Sequence, residues 1–198
     1  MAKKYLIINT HPEPNPGFIN PLRNLLKEKH LSVDVLPGYS GDRPSEAAYR
    51  AVFLTGVPLE VDYSLSQQKT VEQVQKHSSW LRSWKHPLLG ICYGHQILGT
   101  VFGGSVASLP SAVIEDRLNL SISPPVKKGI FANLQELTVF AEHRDYLSRV
   151  PKNFLVLSKQ KGIPYLLYDP GREFYGMQFV PERSGPTADQ VLSRFLRL

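Results

Sequence analysis

The sequence predicts an α/β fold: an open, mostly parallel twisted sheet with helices on both faces and an antiparallel extension. Three observations predict it. Short apolar runs rich in β-branched residues alternate with segments of helical spacing over the first hundred residues. After residue 105 the helical segments stop and strand-like runs follow one another directly. A last segment, 185–198, returns to helical spacing and closes the fold.

Element by element, "KYLIIN" (4–9) is a strand, and "THPEPNPG" after it is a loop by its proline and glycine content. Residues 18–29 carry Phe18, Leu22, Leu25 and Leu26 on one helical face. "LSVDVLP" (31–37) alternates as a strand does, and "RAVFLTG" (50–56) is a second strand before a turn. Residues 65–84 place Val71, Val74, Leu81 and Trp84 on one face of an expected helix. "HPLLGIC" (86–92) reads as a buried strand, and "GHQILGTVFGG" (94–104) as a helix closed by glycine. Beyond it, "VIEDRLNLSIS", "LTVFAEH", "NFLVLSK", "PYLLYD" and "EFYGMQF" are strands without intervening helices. No repeat or linker divides the chain, so a single domain over 1–198 is expected.

The bulk numbers are those of a globular protein: 42% hydrophobic and 20% charged residues. No apolar run is long enough to span a membrane, and the N-terminus lacks the features of a secretory leader. The expectation is a cytoplasmic protein with no membrane partner. The net charge of +6 comes from scattered basic residues, the tightest cluster being Lys127-Lys128, with no interleaved aromatic stripe. Nucleic acid is therefore not an expected partner. The single cysteine excludes an internal disulfide and a cysteine-built metal site, and neither a metal nor a cofactor is expected.

That cysteine, Cys92, carries the chemistry. It stands in "GICYGHQ" (90–96), after a strand, before a helix and between two glycines. This is the form of a nucleophile elbow, in which a sharp turn lifts the side chain out of the sheet. A helix N-terminus favours a thiolate through its free N–H groups and dipole, so the thiol is expected to be reachable and to ionise readily. The backbone N–H of Tyr93 is placed to stabilise an oxyanion.

The segment "GICYGHQILGTVFGG" resembles the active-site segment of class I glutamine amidotransferases. Three more segments are similar to the family's, in the family's order. "VFLTGVP" (52–58) resembles the loop that supplies a second oxyanion N–H, "AEHRDYLSRVPKNFLVLSKQ" (141–160) the Ser-His-x-Asp segment of the GMP synthase glutaminase, and "YGMQFVPE" (175–182) the pattern Gly-x-Gln-Phe-His-Pro-Glu. The resemblance covers residues 4–198 and implies a flavodoxin-like fold with no attached synthetase domain. It implies that Cys92 attacks the side-chain amide of glutamine, giving a glutamyl thioester and ammonia for a separate synthetase subunit. Tyr93 and Val57 would form the oxyanion hole. Gly56, Gln96, His143 and Asp145 would border the substrate, Asp145 meeting its α-amino group. Glu182 would orient a histidine.

The sequence departs from the family at the position of that histidine, which is Val180. An isopropyl group can neither take nor give a proton, and general acid–base help is worth ~10²–10⁴-fold. A second departure is Val57 in place of a glycine in the oxyanion loop. The candidates for a substitute base are His143, beside the expected substrate, and His11, in an "HPE" triplet that repeats the one lost at 180–182. Three readings follow. One is a free-standing amidotransferase whose activity is weak or partner-dependent; the other is a catalytically inactive relative that binds glutamine or a partner protein. A third keeps Cys92 as nucleophile toward a different amide, ester or carbonyl compound.

Overall fold

The structure, a computed structural model, describes residues 3–11, 16–38, 40, 43–57, 76 and 78–198. Strands β1 (Lys4–Asn9), β2 (Val33–Pro37), β3 (Tyr49–Leu54) and β4 (Leu88–Ile91) pair in parallel. Helix α1 (Pro16–Glu28) joins the first two, and helix α2 (Tyr93–Val101) follows β4 directly. Strands β5 (Ser105–Ser121) and β6 (Glu136–Arg149) form a separate two-stranded antiparallel sheet. Strands β7 (Leu155–Gln160), β8 (Ile163–Asp169) and β9 (Phe174–Met177) complete the main sheet, and helix α3 (Pro186–Phe195) ends the fold.

The main sheet runs β2-β1-β3-β4-β9-β8-β7. The antiparallel extension is therefore present, with one feature that local pattern does not specify. Strand β9 returns to the centre, parallel to β4 and antiparallel to β8. That placement carries the segment after Met177 to the carboxyl end of β4, beside Cys92.

Strand alternation explains why helices cover both faces. In β1, Tyr5 and Ile7 point into one core with Ile19, Leu22 and Leu26 of α1 and with Val191 and Phe195 of α3. Leu6 and Ile8 point into the other, with Tyr93, Ile97 and Leu98 of α2. Burying each such side chain is worth about 1.5–3 kcal/mol, so either helix leaving its face would expose a costly surface.

Two expectations need correction in extent. The strand expected to begin at Val113 begins at Ser105, because β5 pairs with nearly the whole of β6. The helix expected over 65–84 falls largely outside the described residues, Val71 and Val74 included. Its end is a tight 3-10 turn, Ser78–Ser83, in which Leu81 is buried, with Trp84 buried just after it.

Candidate active site

Cys92 sits between β4 and α2 with φ 50° and ψ −107°. A non-glycine residue at positive φ is strained, by about 1–3 kcal/mol, and persists only where its surroundings hold it. They do so here through the backbone. The Cys92 N–H donates to the Met177 carbonyl at 2.7 Å, and the Cys92 carbonyl accepts from His95 and Gln96 in the first turn of α2. A Cβ on Gly90 would lie 2.6 Å from the Gly94 carbonyl oxygen, and one on Gly94 would overlap the Leu54 carbonyl of β3. The two glycines let strand and helix cross at backbone distance.

The opposite wall is the end of β3. A Cβ on Gly56 would lie 2.9 Å from the Cys92 Cβ, so the loop rests directly on the nucleophile. This loop is held by residues that sequence reasoning missed. The Thr10 hydroxyl donates to the Thr55 carbonyl at 2.7 Å, and the Thr55 backbone N–H donates to the Ile8 carbonyl at 3.2 Å. Each of the two strands is followed directly by a threonine, which is the signal that could have revealed the latch. Val57, next in the loop, is half-buried and packs on the α2 side of the sheet.

Around the sulfur, the thiol donates to the Glu142 carbonyl at 3.7 Å, and the Gln178 amide donates to Sγ at 3.9 Å. Gln178 was not singled out from sequence, although it lies within the "YGMQFVPE" segment. It continues a chain of amides. Gln96 Nε2 donates to the Asp145 carbonyl at 2.8 Å and lies 3.4 Å from Gln178 Oε1. The structure thus brings Cys92, Gln96 and the Asp145 backbone together. The Asp145 carboxylate accepts from Ser108 of β5 at 2.6 Å.

The two candidate bases are placed differently. Both nitrogens of the buried His143 ring are in use, Nδ1 at 3.1 Å from the Asp145 carbonyl and Nε2 at 3.2 Å from the Tyr165 hydroxyl. A carbonyl only accepts, so Nδ1 carries the proton and Nε2 accepts from Tyr165. Burial also lowers the His143 pKa, against the opposing pull of Asp145, which keeps the ring neutral. His11 is buried after β1, its backbone N–H donating to Asn9 Oδ1 at 3.1 Å. Strand β3 separates β1 from β4. Pro12 and Glu13 of its "HPE" triplet lie outside the described residues.

Val180 and Glu182 stand on a turn stapled to β6. The Val180 N–H donates to the Phe140 carbonyl, and the Ser184 hydroxyl donates to the Val180 carbonyl at 2.6 Å. Arg183 bonds the Glu142 carboxylate at 2.7 Å and lies over the Phe140 ring at 3.6 Å. Glu182 as a residue is half-buried, yet its Oε2 is closed off from solvent and has no hydrogen-bond partner. Desolvation raises its pKa, with its own backbone amide pulling the other way.

A carboxyl whose folded-state pKa is raised contributes stability below its unfolded value and loses it as pH rises through the folded value. Glu182→Gln should therefore flatten the decline in stability across the acid range and raise the urea midpoint at neutral pH. Midpoints measured against pH check this. An unchanged pH profile would show that Glu182 is solvated.

The expected low-pKa, reachable thiolate is overturned by the structure. Cys92 is 5% exposed, and its pKa is pushed up to about 12. Burial is the main cause, only partly offset by the Tyr93 amide, with Glu142, Glu182 and Asp145 adding to the rise. The helix N-terminus acts in the expected direction but is outweighed by desolvation. Alkylation by iodoacetamide, followed by intact mass, should be slow at neutral pH. Its rate should keep climbing beyond about pH 8.5, where a free thiol ionises. A plateau reached below that pH would contradict a buried, protonated thiol.

Residues 15–197 match the family model for glutamine amidotransferase class-I. A glutamine-hydrolyzing GMP synthase subunit of Ignicoccus hospitalis is 30% identical over 147 residues, 73% of this chain and 72% of its own length. The glutamine-hydrolyzing GMP synthase of Clostridium kluyveri is 28% identical over 175 residues, 86% of this chain but 32% of its own length. This chain thus spans about a third of that enzyme. The crystal structure of a glutamine amidotransferase from Thermotoga maritima superposes with a TM-score of 0.72 at 18% identity, over 100% of this chain and 84% of that one.

Proposed function

This chain belongs to the class I glutamine amidotransferase family, and on that premise we propose that it binds glutamine at Cys92 and hydrolyses it weakly, through a Cys92 thioester, for a separate synthetase subunit. The observation that carries the reading is the strained elbow. Cys92 is held at φ 50° by Met177, by α2 and by the closely apposed Gly56, a geometry useful for presenting a nucleophile and costly otherwise. The Tyr93 amide lies beside the sulfur, which supports its part as an oxyanion donor. Gln96, fixed by the Asp145 carbonyl, borders the substrate side chain.

What is lacking is the proton carrier. The thiol is protonated, Val180 cannot accept its proton, and His143 spends both nitrogens elsewhere. Weak turnover follows, with a partner as the means of rearranging Glu142 and Gln178 around the sulfur. The second reading, an inactive relative that binds glutamine, is favoured by one observation, the burial of Cys92, which is 5% exposed and whose thiol pKa burial pushes up. Calorimetric titration with glutamine, paired with acid-quenched intact mass, separates the two. Binding with a glutamyl adduct on Cys92 supports turnover, and binding without one supports the inactive relative. Absence of binding, with Gln96→Ala indistinguishable from wild type, would defeat both.

A further inference from the structure

Two buried carboxamides, Gln96 and Gln178, form the hydrogen-bonded chain that reaches the Cys92 sulfur. Both trace back to Tyr165 of β8. Its main-chain carbonyl accepts from the Gln178 N–H at 3.0 Å. Its hydroxyl lies 3.2 Å from His143 Nε2, and His143 Nδ1 lies 3.1 Å from the Asp145 carbonyl. That same carbonyl holds Gln96 Nε2 at 2.8 Å.

Donor and acceptor roles along this chain are forced. A carbonyl oxygen has two lone pairs and no proton, so the Asp145 carbonyl takes one hydrogen from Gln96 and one from His143. A neutral imidazole has a single N–H, so with that hydrogen on Nδ1 the other nitrogen is a bare acceptor. The Tyr165 hydroxyl is the donor that meets it. Burial, with Glu115 adding to it, pushes the Tyr165 pKa up to about 12, so the hydroxyl keeps its proton at neutral pH. The two rings pack edge to face with centroids 5.6 Å apart, and each residue is only 3% exposed.

We propose that Tyr165 is a positioning residue for glutamine: its hydroxyl holds His143 in the Nδ1–H form, which fixes the Asp145 carbonyl and, through it, the Gln96 carboxamide. The proposal rests on the reading that Gln96 borders the bound glutamine side chain. Without the hydroxyl, His143 has two poor choices. The Nδ1–H form leaves Nε2 buried without a donor, and it donates less strongly to Asp145, since hydrogen bonds in a chain polarise one another. The Nε2–H form sets a bare Nδ1 lone pair against the carbonyl oxygen, which repels it. Either choice loosens the carbonyl that carries Gln96. Tyr165 itself does not touch the sulfur, so its loss lowers affinity for glutamine and not the reactivity of Cys92.

The test uses the whole chain with nitrogen-labelled histidine. Nitrogen NMR of the free wild-type protein should show a neutral His143 protonated on Nδ1. In Tyr165→Phe the His143 signals should move to the Nε2–H form, or Nε2 should take the shift of an unbonded nitrogen. Calorimetry should show glutamine binding weakened about three- to tenfold in Tyr165→Phe, the worth of one hydrogen bond. It should be unchanged in Tyr168→Phe, the same change on the same strand in a ring that stacks on Tyr175. A wild-type His143 protonated on Nε2, unchanged glutamine affinity in a folded Tyr165→Phe, or an equal loss in Tyr168→Phe would each overturn the proposal. The first of these results needs no variant to fold. Absence of glutamine binding in wild type would defeat the underlying reading and the proposal with it. That failure is told apart from a failure of Tyr165 alone, because the tautomer is read without glutamine.

Discussion

Val180→His should raise ammonia release from glutamine by at least ~10²-fold, the ordinary worth of a positioned acid–base group. The structure supplies what the new side chain needs. Val180 lines a cavity of about 210 Å³, so the larger imidazole enters open space and not a packed core. The loop is already fixed to β6 by the Phe140 carbonyl and by Ser184. Glu182 is on the same cavity with an unpartnered oxygen, ready to accept one ring N–H. The other nitrogen would then face the elbow, where it could take the thiol proton and return it to the leaving ammonia. The double variant Val180→His/Glu182→Gln should lose much of the gain, because the ring would be less firmly oriented. Steady-state ammonia and glutamate assays on folded proteins check both. No gain in a variant that still binds glutamine would locate the defect elsewhere, with Val57 in the oxyanion loop the next candidate.

Gly94→Ala should be the most damaging single-methyl change to the fold. The added Cβ would overlap the Leu54 backbone carbonyl, and backbone cannot rotate aside as a side chain can. Relief requires moving α2 off β3, which opens the core that holds Tyr93, Ile97 and Leu98. Overpacking in a tight site costs about 1–3 kcal/mol, and backbone overlap lies at or above the top of that range. Urea denaturation should show a large fall in midpoint or an unfolded protein. A change within about 0.5 kcal/mol, typical of surface positions, would show that strand and helix do not cross so closely.

Much of this fold was legible in the sequence, because alternation and helical spacing are local properties. The order of elements and the antiparallel character past residue 105 follow from them. The place of β9 does not, since a four-residue apolar strand reads alike beside a parallel or an antiparallel neighbour. The elbow was legible for a steric reason: Gly90 and Gly94 flank a residue at a strand-to-helix turn, and their job is visible in their spacing. The ionisation of Cys92 was not. It depends on the Glu142 carbonyl and on burial by a strand some fifty residues away in sequence, and these outweigh the local helix terminus. Gln178 and the Thr10–Thr55 latch escaped for the same reason, as their partners come from separate strands. The engagement of His143 by Tyr165 is likewise a contact between β6 and β8 that sequence spacing does not express.

In this protein the elbow is intact and the family's histidine position holds Val180. Ammonia release from glutamine by the purified chain, measured beside Cys92→Ala and Val180→His, tests it most directly. The expected result is a slow wild-type rate, its complete loss in Cys92→Ala, and a rate at least ~10²-fold higher in Val180→His. A wild-type rate already equal to that of Val180→His, or one that survives in Cys92→Ala, would contradict it.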